Sequence, residues 1–324
     1  MTLDDIKKRL PEVIAERVQS AKVVDGIAAV ILDSAGLSEE QRGAVERGTK
    51  QALAADDAIT EVRVAMVASR EAAKPPPRII AVGSGKGGVG KSTLTANLAV
   101  ALAKTGRKVG IVDADVYGPS QPTLLGAKAK PVAENEKLTP VPSAAGIPVL
   151  SMGQLVEPGK ALAWRGPMAG NAMGQLIDAN WGDTQLLLVD LPPGTGDVQL
   201  SLLAKFKPAG AIIVSTPQDL ALIDAQRAAQ LFEHSEVPII GLVENMSGYE
   251  CPHCHKTSDP FGRGGVENAA AATGIPFLGR IPLTMAIREA SDAGLPPAAG
   301  AGEAGEPFIA IAQKLSNWLD KGQA

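Results

Sequence analysis

One stretch restricts what this chain can fold into more than any other: Gly85-Lys86-Gly87-Gly88-Val89-Gly90-Lys91-Ser92-Thr93. It satisfies the pattern G-x-x-x-x-G-K-S/T, a phosphate-cradling loop that works only between a strand and a helix. Both flanks are present. Ile79-Ile80-Ala81-Val82 reads as a short apolar strand, and from Ser92 to Lys104 the residues Leu94, Leu98 and Leu102 recur on one helical face. The glycines let successive backbone N–H groups turn toward an anion, and the helix N-terminus adds partial positive charge. In that frame Lys91 sits on the β- and γ-phosphates of a nucleotide and the Ser92 hydroxyl holds Mg2+.

A phosphate loop of this kind belongs at the edge of a parallel sheet, and the rest of the sequence supplies one. Val109-Gly110-Ile111-Val112 is an apolar strand ending in Asp113-Ala114-Asp115, and Leu186-Leu187-Leu188-Val189 is another ending in Asp190. Ligands bind outside the carboxyl ends of such strands, so these carboxylates fall where a nucleotide would be. Asp190 is in the Walker B position, where an acidic residue serves Mg2+. Ala211–Val214, Pro238–Val243 (ending at Glu244-Asn245-Met246), and the pieces Phe277-Leu278-Gly279 and Ile281-Pro282-Leu283 read as further strands, with helices from Met168 to Ala179, Asp219 to Glu233 and Pro307 to Leu319. The expected fold is α/β: a doubly wound, mostly parallel sheet over 78–324. Residues 127 to 160 read as irregular and 292 to 306 as a flexible stretch. Aromatic residues are only 3% of the chain, so its core must be aliphatic, as such a sheet allows.

The sequence ahead of the loop reads as a separate small α+β domain over 1–70. Ile6, Leu10, Ile14 and Val18 mark a helical face interrupted at Pro11, Asp25-Gly26 is a hairpin turn, Ser38-Glu39-Glu40-Gln41 is a capping box opening a helix to about Leu53, and Val62, Val64 and Met66 alternate as in a half-buried strand. Residues 71–77 end in Pro75-Pro76-Pro77 and read as a stiff linker. Net charge is −4, which argues against a nucleic-acid partner. No apolar run reaches the roughly 18 residues a membrane span needs, and the acidic start lacks a signal-peptide pattern. A cytoplasmic protein with neither membrane nor nucleic acid as partner is expected.

Several strings carry a family resemblance: Lys86 at the second position of the loop, Val112-Asp113-Ala114-Asp115-Val116-Tyr117-Gly118-Pro119-Ser120, Trp164-Arg165-Gly166-Pro167-Met168, and Asp190-Leu191-Pro192-Pro193-Gly194-Thr195-Gly196-Asp197. Over most of 78–320 the sequence resembles the Mrp/ApbC iron–sulfur carrier ATPases, of the deviant P-loop class that includes the MinD and NifH types. The resemblance implies ATP as nucleotide, and Lys86 reaching across a dimer interface to the partner's nucleotide rather than lying solvated. It implies that Asp115 positions the attacking water, that Asp113 supports Mg2+ through its shell, and that 191–197 rearranges when the γ-phosphate leaves. In related ATPases an asparagine at the place of Asn245 contacts the base; a plain turn asparagine is the alternative. The order α-β-β-α-β of residues 1–70 resembles the small domain often fused ahead of these ATPases. That domain usually carries a cysteine before its second helix; here the loop is Asp33-Ser34-Ala35-Gly36-Leu37, and a docking or structural module is expected.

The two cysteines, Cys251 and Cys254, form one C-x-x-C. Such a knuckle offers two corners of a tetrahedral metal or cluster iron, and a two-fold dimer would bring four thiolates to its axis. Lys86 independently asks for a dimer. Zinc aided by His253 or His255, or a thiol–disulfide switch, are the alternatives. The expected protein is thus a weakly hydrolysing, ATP-dependent carrier: a homodimer that takes a 4Fe-4S cluster from a donor between Cys251 and Cys254 of each subunit and passes it to apo iron–sulfur proteins. A MinD/ParA-like positioning ATPase with a zinc or redox C-x-x-C is the alternative.

Overall fold

The computed structural model describes residues 3–67, 75–134, 136–156 and 166–322. The chain divides into two compact units, Met1–Pro75 and Pro76–Ala324.

In the first unit, Pro11 stops the initial helix, as its missing N–H and fixed φ require. Two short helices result, Leu3–Lys7 and Glu12–Ala15, which bury Ile6 and Ile14. Strands β1 (Val18–Val24) and β2 (Ile27–Asp33) pair antiparallel through a turn in which Asp25 and Gly26 take φ of 50° and 79°. Ser38 caps helix α1 (Glu39–Leu53) with the reciprocal Gln41 bond of a capping box. Strand β3 (Glu61–Val67) then pairs parallel to β2. Ile6, Leu10, Leu32 and Leu53 form the core between helices and sheet.

The second unit is built on seven parallel strands: β4 (Arg78–Ser84), β5 (Val109–Asp113), β6 (Pro148–Ser151), β7 (Leu186–Asp190), β8 (Gly210–Ser215), β9 (Ile239–Glu250) and β10 (Phe277–Leu283). Their order is β6-β5-β7-β4-β8-β9-β10. Short antiparallel pieces, Val141–Pro142 and Thr257–Ser258, border β6 and β9. Successive residues point to opposite faces, so Ile80, Val82, Leu188, Ile212 and Val214 enter one core while Ala81, Leu187, Val189 and Ile213 enter the other. The first core is closed by α2 (Lys91–Lys104) and the C-terminal helix Glu306–Lys321, the second by Gly166–Ile177, Asp197–Phe206 and Asp219–His234.

Four expectations need correction. Helix α2 is buried all round from Leu94 to Leu102, not along one stripe, because the sheet and the C-terminal helix sandwich it and Ala96, Ala99 and Ala101 are small enough to allow that. Strand β9 does not end at Glu244-Asn245-Met246 but runs on to Glu250. Its pattern is broken at Met246 (φ 58°) and Gly248 (φ 81°), which hid the continuation. Residues 292–306 are packed rather than free: Asn97 Oδ1 accepts from Ala298 N at 2.9 Å, and Pro297, Ala298 and Gly305 are buried. Within 127–160, antiparallel Val132–Glu134 and Lys137–Thr139, and β6 itself, are regular. Trp164 and Arg165 lie outside the described residues.

Candidate nucleotide site and cysteine hairpin

Strand β4 delivers the phosphate loop between β7 and β8, at the middle of the sheet. Gly88 and Gly90 take φ of 78° and 85°, conformations glycine adopts without strain, and Gly90 is the N-cap of α2. Residues 86–93 line a cavity of 540 Å³ together with Asp115, Tyr117, Pro193 and Met246. Lys86, Gly87, Gly88, Val89, Gly90, Lys91, Ser92 and Thr93 are thereby brought together; Gly85 opens the turn outside the lining.

The parallel register sets Asp190 beside both Val82 and Asp113. Lys91 is buried and its ammonium binds Asp190 Oδ1, with Asp115 Oδ2 at 3.9 Å and Ser92 Oγ at 3.4 Å. Thr95 Oγ1 lies 3.5 Å from the same Asp190 oxygen. Asp115 divides its work: Oδ1 accepts from Tyr117 N and Gly118 N, both at 3.1 Å, and fixes its own turn, while Oδ2 faces Lys91. Asp113 is spent on the protein. Its Oδ2 accepts from Ser120 N, Gln121 N and Ser151 Oγ at 2.9–3.0 Å, and Oδ1 from Asp115 N at 3.2 Å. Complete burial, then the charge of Asp190, push its carboxyl up to about 7 against those donors. Asp113 is therefore placed to act on a metal only through intervening groups.

Asp115 and Asp190 thus share one ammonium, leaving the centre short of positive charge. Hydroxyl and carboxylate oxygens are the hard donors Mg2+ takes, so the residues present fit that ion: Ser92 and Asp190 to hold it, Asp113 behind them. Lys86 donates to Gln218 Oε1 of its own chain at 3.3 Å, a local partner the sequence did not reveal. The 191–197 loop is tethered by Leu191 N to Val82 O and Gly194 N to Ser84 O, both 3.0 Å. Gly194 has φ 90°.

Asn245 Nδ2 donates to Val89 O at 2.7 Å, so in this structure it braces the phosphate loop from below. Next to it, Glu244 is fully buried at the end of the strand pairing with β8. It accepts from Gly264 N, Val266 N, Ser247 Oγ and Arg280 Nε at 2.8–3.1 Å. Burial works to raise its carboxyl, but these donors together hold it below the ordinary range. A carboxylate at the carboxyl end of an apolar strand was a signal for it, the same one that marks Asp190.

Strand β9 ends at Glu250, and Cys251, six positions beyond Asn245, begins a tight hairpin. Cys251 N donates to Lys256 O at 3.1 Å and His255 N to Cys251 O at 2.9 Å. The backbone N–H groups of His253 and Cys254, then the Cys254 thiol, hold the Cys251 thiol below its usual range. Cys251 is half-buried and Cys254 exposed. His255 turns away to Glu250 at 2.9 Å. Among the described residues no group of three or more His, Cys, Asp or Glu is gathered as a metal site, and no helix is long and apolar enough to cross a membrane.

Comparison with known proteins gives consistent relatives. The family described as ParA: NUBPL iron-transfer P-loop NTPase matches residues 77–316. The iron–sulfur protein required for NADH dehydrogenase of Arabidopsis thaliana is 52% identical over 221 residues, 67% of this chain and 70% of that protein. The iron–sulfur cluster carrier protein of Deinococcus radiodurans is 45% identical over 263 residues, 79% of this chain and 74% of that protein. Among solved structures, a nucleotide-binding protein of Archaeoglobus fulgidus in complex with ADP superposes with TM-score 0.62 at 40% identity, over 72% of this chain and 91% of its own.

Proposed function

The chain belongs to the NUBPL iron-transfer P-loop NTPase family, and we propose that it is an ATP-dependent carrier of a 4Fe-4S cluster, cytoplasmic and acting as a homodimer. The observation that carries this reading is the geometry of β9. One strand braces the phosphate loop with Asn245, lines the nucleotide cavity with Met246 and ends in the Cys251-x-x-Cys254 hairpin. One hairpin supplies two thiolates; two related by a dyad supply four, the set a cubane cluster needs. The lowered Cys251 thiol suits it to act as a thiolate ligand. The cluster is cargo, taken from a donor and passed to apo iron–sulfur proteins.

For hydrolysis, Lys91 leaves Asp190 for the β- and γ-phosphates, exchanging a carboxylate for the polyphosphate as its charge partner. Ser92 and Asp190 would hold Mg2+, which would supply charge neutralisation for the nucleotide. Asp115 keeps Oδ1 on its own turn and offers Oδ2 to the attacking water. Lys86 leaves Gln218 for the partner's nucleotide, so dimerisation and nucleotide binding are coupled. Release of the γ-phosphate frees the 191–197 loop. Turnover is slow because each cycle waits on these rearrangements.

A positioning ATPase that rests on a membrane would present an apolar helix face. Here the C-terminal helix buries Phe308, Ile311, Leu315 and Leu319 in the first core, which weighs against that reading for this segment. The test is cluster transfer. Reconstituted protein mixed anaerobically with an apo-enzyme that needs a 4Fe-4S cluster should restore its activity, at a rate changed by MgATP. Absence of any transfer, with or without nucleotide, refutes the carrier role.

A further inference from the structure

Gln121 has no part in the chemistry above, yet it joins three of its residues. Its side chain is fully buried. Nε2 donates to Asp190 Oδ2 at 2.8 Å and to Ser92 O at 3.0 Å, while its backbone N donates to Asp113 Oδ2 at 3.0 Å. The amide orientation follows from chemistry: the Asp190 carboxylate and the Ser92 carbonyl only accept, so the NH2 must face them. That leaves Oε1, buried and reached by no donor of the protein among the described residues. Buried acceptors are nearly always satisfied, by protein or by ordered water.

We propose that Gln121 is a positioning residue of the metal–nucleotide centre. Its amide NH2 holds Asp190 in place when Lys91 departs, and its Oε1 accepts a hydrogen bond from a water of the Mg2+ hydration shell. Asp190 is the link. Its Oδ1 is bound by Lys91 and its Oδ2 by Gln121. Once Lys91 moves to the phosphates, Gln121 alone of these two still fixes the carboxylate, with Oδ1 turned to the metal side. The same amide anchors the backbone of Ser92, so both groups assigned to Mg2+ hang on one side chain. Outer partners of metal ligands commonly matter about as much as 10- to 100-fold in metal affinity. This inference rests on the nucleotide reading above.

The test separates the two. The parent, Gln121→Leu and Gln121→Met are titrated with Mg2+ in the presence of ADP, and ADP affinity is measured in parallel in EDTA. The half-saturating Mg2+ concentration should rise about 10-fold or more in both variants, with metal-free ADP affinity unchanged. Equal losses with and without Mg2+ would assign Gln121 a purely structural role and overturn the inference alone. Absence of any Mg2+ dependence in the parent overturns the nucleotide reading and this one with it. If neither variant folds, a crystal structure of the parent with Mg2+ and ADP decides. A metal-bound water within about 3.2 Å of Oε1 is expected; an Oε1 facing a protein donor overturns the inference.

Discussion

Gly90→Ala tests the coupling of the phosphate loop to β9. A Cβ at Gly90 would stand 2.0 Å from Asn245 Nδ2 and 3.3 Å from its Cγ, and the backbone there has φ +85°. Left-handed backbone costs an L-residue about 1–2 kcal/mol. Asn245 can clear the methyl only by leaving Val89 O, to which it now donates at 2.7 Å. Losing that bond adds about 0.5–1.5 kcal/mol. If the whole of this falls on the nucleotide-competent loop, ADP binding weakens by about 10- to 300-fold. The assay is ADP affinity by calorimetry on the parent, Gly90→Ala, Asn245→Ala and the double variant. Asn245→Ala removes the obstacle together with the bond, so the double variant should bind no worse than Gly90→Ala, a non-additive cycle. Affinity within about twofold of the parent for Gly90→Ala, where a cost of that size was expected, would refute the reasoning; strictly additive losses would show that the Asn245 contact is not the obstacle.

Lys91→Ala should abolish ATP hydrolysis. It should also lower the nucleotide-free unfolding free energy by about 3–5 kcal/mol, since Asp190 loses the partner of a buried pair; urea unfolding reads this directly. Asp115→Asn should keep ADP binding and slow turnover, because Oδ1 can still cap its turn while Oδ2 no longer acts as a carboxylate; turnover at the parent rate would contradict its assignment. Asp113 gives a pH signature. Its folded carboxyl is raised from 3.8 to about 7, so the fold retains a proton that the unfolded chain has released, and this contribution to stability is lost as pH rises through that window. Asp113→Asn cannot ionise and should flatten the fall in stability between those values; an unchanged slope in urea unfolding across that range would refute the account.

Local signals carried much of the fold. The Asp25-Gly26 turn, the Ser38 capping box and the phosphate loop between an apolar strand and a helix each announce themselves within a few residues, because short-range backbone geometry sets them. That Asp113, Asp115 and Asp190 come together beside the phosphate loop was legible because strand ends in a parallel sheet face one crevice. Long-range relations were not legible. Gln121 meets Asp190 across 69 positions, and Lys86 meets Gln218 across 132. Residues 292–306 look flexible by composition, but α2 lends Asn97 as a partner. The extension of β9 past Asn245 was masked by Met246 and Gly248, whose positive φ values interrupt the alternation on which strand recognition depends.

The measurement that tests the central claim most directly is the iron content of anaerobically reconstituted protein of known oligomeric state. The parent and the single variants Cys251→Ser and Cys254→Ser are compared by iron and sulfide analysis, absorption and mass. A cluster shared by two hairpins predicts about four irons per dimer in the parent. It predicts loss as complete in either single variant as in the double, with ADP binding retained. One tightly bound zinc per monomer, without iron–sulfur absorption after reconstitution, would contradict the carrier account.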